Sequence, residues 1–177
     1  EDRFGNDPVL VADFAALERC TFEPGGRLDR GCPQVRTLVR RVETKRIKPD
    51  NRGKVVTTLV NLLESRSEQT RLAAADRLYA FHRDPRVIGA LRKALTRERA
   101  PRVKATMLRQ LCWNMTPAVE RQAMALLGRT EPEAVRVEAA DCFARHGAAS
   151  PEAREALRQA LARDPAEAVR GSACVAL

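Results

Sequence analysis

Four basic residues recur at nearly constant spacing: Arg71, Lys104, Arg136 and Arg170, separated by 33, 32 and 34 positions. Each sits in the same apolar frame. Before them stand Thr70, Val103, Val135 and Val169. Three and four places after them come Ala74-Ala75, Met107-Leu108, Ala139-Ala140 and Ala173-Cys174, and seven places after come Leu78, Leu111, Phe143 and Leu177. Offsets of −1, +3, +4 and +7 lie on one side of a 3.6-residue helix. Self-similarity at this period marks a stack of helical units, each leaning on its neighbours, rather than one closed core.

A second helix is predicted in each unit. It opens with Asp84-Pro85, Thr116-Pro117 or Ser150-Pro151. Asp, Thr and Ser oxygens accept from the free N–H groups of a first helical turn, and Pro fits the first position, where its missing donor is not needed. Val87, Leu91 and Leu95, then Val119, Ala123 and Leu127, then Ala153, Leu157 and Leu161 form its buried stripe. Upstream, Gly53 takes the Pro position, giving Val55, Leu59 and Leu63. The turn Lys48-Pro49-Asp50-Asn51-Arg52-Gly53 would join this helix to a partner running from Pro33 to about Ile47.

The runs Asp164-Pro165-x-x-Ala168-Val169-Arg170-x-x-Ala173-x-x-x-Leu177 and Ala134-Val135-Arg136-x-x-Ala139-Ala140-x-x-Phe143 resemble the HEAT-like repeat family, particularly its bacterial short repeats such as those of phycobilin lyase-type proteins. The resemblance covers residues 66–177 well and 33–65 loosely. It implies an all-α fold, a right-handed α-solenoid (superhelix) of stacked antiparallel helix pairs. The units read as 33–64, 66–98, 101–130, 132–163 and a partial 165–177. Residues 1–32, with a helix opened by Asp7-Pro8 and a Cys-flanked loop, read as a cap. In the resembled family an acidic residue six places before the anchor bonds the basic anchor of a neighbouring unit. Glu98 and Asp164 occupy such positions before Lys104 and Arg170. With Arg71 and Arg136, these residues are therefore assigned to a structural ladder rather than to a ligand. The last unit stops after its first helix, so the expectation is that the native chain continues or that this end packs on another chain.

The net charge of +9 is concentrated in two blocks, residues 27–54 and 83–109, each +7, whereas residues 1–26 carry −4. Arg36, Arg40, Arg41, Lys45, Arg46 and Lys48 form one basic strip. Arg86, Arg92, Lys93, Arg97, Arg99 and Arg102 belong to the other. Such strips are either solvated outer faces or attractors of phosphate, anionic lipid or acidic protein. On the second helices, Arg86, Arg92, Lys93, Glu120, Arg121, Arg154 and Arg158 are the expected exposed contact residues. Of the five cysteines, Cys20 and Cys32 flank a Gly/Pro-rich loop and are either a disulfide or two thiols. Cys112 and Cys142, on adjacent first helices, are the next candidate pair. A disulfide would place the chain in an oxidising, extracytoplasmic setting, a periplasm or the secreted space. Cys174 falls on a stripe position and reads as a buried thiol.

No catalytic motif appears, and no cofactor or metal site is expected. Cys142 and His146 share a helical face, but a fourth zinc ligand is missing. No apolar run is long enough to span a membrane. Two functions are carried forward. The first is a non-catalytic scaffold for a protein partner with an acidic surface. The alternative is binding of the nucleic-acid backbone through the basic strips, as in HEAT-like DNA glycosylases. Aromatic residues make up only 4% of the chain, which leaves little material for base stacking.

Overall fold

The structure, a computed structural model, describes residues 49–148 and 150–177. Among these residues there are eight α-helices, one 3-10 helix and no strand. They are α1 (Pro49–Leu62), α2 (Glu68–Arg77), the 3-10 turn Leu78–Phe81, α3 (Pro85–Arg97), α4 (Pro101–Cys112), α5 (Pro117–Leu126), α6 (Glu133–His146), α7 (Pro151–Arg163) and α8 (Glu167–Ala176).

Helix starts follow the capping chemistry. The hydroxyls of Thr116 and Ser150 accept from Val119 and Ala153 N–H at 3.2 and 3.1 Å. Ser67 does the same for Thr70 at the start of α2. Asp84 accepts the Arg86 N–H at 2.9 Å at the start of α3. First helices α4 and α8 begin at Ala100 and Ala166, which have no capping oxygen. A carboxylate two residues earlier supplies it: Glu98 accepts from Ala100 N–H and Asp164 from Ala166 N–H, both at 2.9 Å. Helix α6 ends where Gly147 adopts φ +75°, a left-handed conformation open to glycine, and its N–H bonds back to Phe143 O at 2.7 Å.

One expected boundary is corrected. The stretch expected as a turn, Pro49 to Gly53, is the first turn of α1. Pro49 stands at the one helical turn that tolerates proline, so it starts this helix instead of preceding it.

The described residues divide into two compact units, one up to Ala90 and the other Leu91–Leu177. In the first, α1 packs on α2 and the 3-10 turn, burying Val55, Leu59, Leu63, Ala74, Ala75, Leu78 and Phe81. In the second, α4 packs on α6 and α6 on α8, while α5 packs on α7. Its core is Val103, Met107, Leu108, Leu111, Val135, Ala139, Ala140, Phe143 and Val169 from the first helices. Leu91, Leu95, Val119, Ala123 and Leu157 come from the second helices. Each such leucine contributes about 2 kcal/mol by leaving water.

Cys174, expected to be buried, is exposed, and Leu177 is half exposed. Their counterparts in α4 and α6 are covered, because a later first helix packs on each. Among the described residues no helix lies over that side of α8.

Candidate interaction surface

The first turns of α4, α6 and α8 carry the basic anchors, and these tie successive connections together. Lys104 Nζ donates to both carboxylate oxygens of Glu131, each at 2.7 Å. Arg136 donates through Nε and Nη2 to Asp164 Oδ2 and Oδ1 at 2.8 and 2.9 Å, and through Nη1 to the Glu131 carbonyl at 2.6 Å. Asp164 therefore holds the anchor of the preceding unit. Arg170, the anchor of its own unit, donates to the carbonyls of Asp164 and Pro165 at 2.8 and 3.0 Å. Arg71 makes the equivalent bonds to Ser65 and Arg66 carbonyls at 3.0 and 3.1 Å. Glu98 accepts from Arg99 and Ala100 N–H.

Hydrogen bonding to Arg136 holds the Asp164 carboxyl below its ordinary value, against the opposing effect of burial. The Ala166 N–H and the charges of Arg136 and Arg129 add to the lowering. The same bond raises Arg136.

Two further carboxylates are held inside. Glu138, on α6, accepts from Arg109 Nε at 2.8 Å and from Arg145 Nη2 at 2.5 Å. Glu120, on α5, accepts the N–H and the hydroxyl of Ser150 at 2.9 and 3.0 Å. Glu120 was expected among the exposed contact residues. Instead it is buried, because the start of α7 sits over it with two donors. Composition and helical spacing gave no hint of this. Glu131 did carry a legible signal, since Glu131-Pro132 repeats the Asp164-Pro165 pattern with one residue fewer before the anchor.

These engagements divide the charge unevenly. In residues 91–177 the carboxylates of Glu98, Glu120, Glu138 and Asp164 are buried, and Arg136 is the one cation that is. What faces solvent is eleven cations against four carboxylates, Glu133, Glu152, Glu155 and Glu167. This surface is more basic than the composition of the segment suggests.

Of the expected contact residues, Lys93, Arg97, Arg99 and Arg102 are exposed, as are Arg121, Arg154 and Arg158. Arg92 is half-buried, bonded through Nε to Gln122 Oε1 at 2.9 Å. Arg86, in the other unit, is exposed and pairs with Asp84 at 2.7 Å, a hydrogen bond that raises its pKa. Arg36, Arg40, Arg41, Lys45, Arg46 and Lys48 lie outside the described residues, as do Cys20 and Cys32.

Cys112 and Cys142 form a disulfide with Cα atoms 5.6 Å apart, joining the last turn of α4 to α6. Cys142 is thereby removed from any metal set with His146. Among the described residues no three His, Cys, Asp or Glu side chains form a metal-sized group. No helix among them is long and apolar enough to cross a membrane.

A family model described as HEAT repeats matches residues 88–177, just over half of the chain. Such repeats generally serve as protein-interaction scaffolds and are typically non-catalytic. A comparison with curated proteins found no match. The recurring helix registers and this match make the chain a member of the HEAT repeat family.

Proposed function

We propose that the chain is a non-catalytic HEAT-repeat scaffold that binds a protein partner bearing acidic groups. The observation that carries this reading is the division of charge in residues 91–177, where carboxylates are held inside and cations face out. An exposed cation layer of this kind steers an anionic partner and disfavours basic ones. Nucleic acid is the competing polyanion. Two features favour protein. The single Trp and single Tyr of the chain offer few platforms for base stacking. The Cys112–Cys142 bond fits an oxidising compartment, where nucleic-acid partners are uncommon.

The test is fluorescence anisotropy of the full chain with three labelled probes: a Glu/Asp-rich peptide, its Gln/Asn counterpart, and a DNA duplex of matched charge. Binding of the acidic peptide, weakening as salt rises and absent for the neutral peptide, is expected. Equal binding of both peptides, or tighter binding of the duplex, overturns the reading.

A further inference from the structure

The ion-pair ladder does more than hold helices together. Lys104 reaches Glu131 and Arg136 reaches Asp164, so the α3–α4, α5–α6 and α7–α8 connections are fixed side by side along one edge of the second unit. The connections are also stiffened internally. Glu131 N–H bonds to Gly128 O, Asp164 N–H to Ala160 O, and the carboxylates of Glu98 and Asp164 cap the helices that follow.

Four exposed arginines stand on these connections or the turns beside them: Arg99, Arg102, Arg129 and Arg163. None of the four guanidinium groups makes a hydrogen bond or ion pair among the described residues, although the backbone N–H of Arg99 bonds to Glu98 and the ladder beneath them is saturated. Arg129, beside the α5–α6 connection, stands close enough to Asp164 on the α7–α8 connection for its charge to favour the carboxylate. We infer that Arg99, Arg102, Arg129 and Arg163 form a docking edge for an extended acidic segment of a partner protein, running across the three connections. The inference rests on the scaffold reading above and names the part of the surface that does the binding.

The charge pattern selects the occupant. Exposed Glu133 and Glu167 open α6 and α8 on the same edge. A phosphodiester backbone, negative at every step, meets these carboxylates as it crosses. A peptide with acidic residues spaced by neutral ones can set each carboxylate on an arginine and avoid them. Arginine suits the task because its planar fork binds a carboxylate through two parallel hydrogen bonds. The edge is distinct from the exposed face of the second helices, where Lys93, Arg121, Arg154 and Arg158 lie.

Two full-length variants separate the surfaces. One changes Arg99, Arg102, Arg129 and Arg163 to Gln. The other changes Lys93, Arg121, Arg154 and Arg158 to Gln, so both remove four exposed cations. Thermal melts of each, matched to the parent chain, establish that the fold is intact; single changes at Arg102 and Arg129 serve if the quadruple variant melts early. The probe is a Glu-rich peptide spaced by Ser and Gly. Four lost pairs predict a loss of affinity of roughly tenfold or more for the edge variant, with a shallower salt dependence and little change for the other. If the two variants lose affinity equally, or the second-helix variant loses more, the docking edge is wrong while the scaffold reading stands. If the parent chain does not bind the peptide at all, both fall. If a duplex of matched charge binds the parent chain more tightly and depends on the same four arginines, the edge belongs to nucleic acid and the inference is overturned.

Discussion

Arg136 donates to three oxygens on two successive connections, and its side chain and that of Asp164 are 8% and 1% exposed. A pair this buried gains little over an apolar substitute, but removing one partner strands the other. Asp164→Asn leaves the Arg136 cation facing a neutral amide and withdraws one charged acceptor. The expected cost is about 3 kcal/mol in urea unfolding at neutral pH. Its pH dependence has a definite sign. The folded Asp164 carboxyl is held below its unfolded value, so its contribution is complete above the ordinary aspartate range and disappears as pH falls through the lower folded value. The parent chain and Asp164→Asn should therefore differ at neutral pH and converge in acid. A gap that persists unchanged into strong acid would remove the ion pair as its cause.

At the scale of elements, the caps of the second helices are nominally equivalent, yet the structure ranks them. Thr116 accepts one N–H at the start of α5. Ser150 does the same at the start of α7, and its hydroxyl also donates to buried Glu120. Thr116→Ala should cost about 1 kcal/mol, the usual worth of a cap. Ser150→Ala should cost about 1 kcal/mol more, because a buried carboxylate loses a donor. Combining Ser150→Ala with Glu120→Gln tests the link: strictly additive costs would show that the two residues act independently. The same helices show what a sequence can and cannot reveal. Thr116-Pro117 and Ser150-Pro151 are local signals, and both helices begin where those signals put them. The stripes are local too, and Val103, Leu108, Val135 and Phe143 are all buried. The burial of Glu120 depends on which connection folds over α5, a contact 30 positions away that no period of 3.6 encodes. The exposure of Cys174 likewise depends on whether a further helix covers α8, while its own helix offers the same register as Ala140. The ladder lies between these cases. Its residue types were legible, but the identity of Glu131 required noticing that the connection before α6 is one residue shorter.

At the scale of the molecule, a repeat array holds together through contacts between neighbours, so each junction has its own strength. The α4–α6 junction is fastened near both ends of α4, by Lys104–Glu131 at the start and Cys112–Cys142 at the finish. The bond closes a loop with a sequence separation of 30, for which chain entropy gives about 3–4 kcal/mol. Both sulfurs belong to fully buried residues, so a reductant added to the native chain has poor access. The informative comparison is between chain unfolded in urea with dithiothreitol and refolded reduced, and chain refolded with the bond intact. The reduced form should unfold at lower urea, and because contacts are between neighbours, hydrogen exchange should quicken first in α4 and α6. Coincident unfolding curves would mean that the packing of Met107, Leu111 and Phe143 holds the junction without the covalent link. A uniform rise in exchange throughout residues 91–177 would mean instead that the second unit behaves as one cooperative body, and that the bond stabilises all of it.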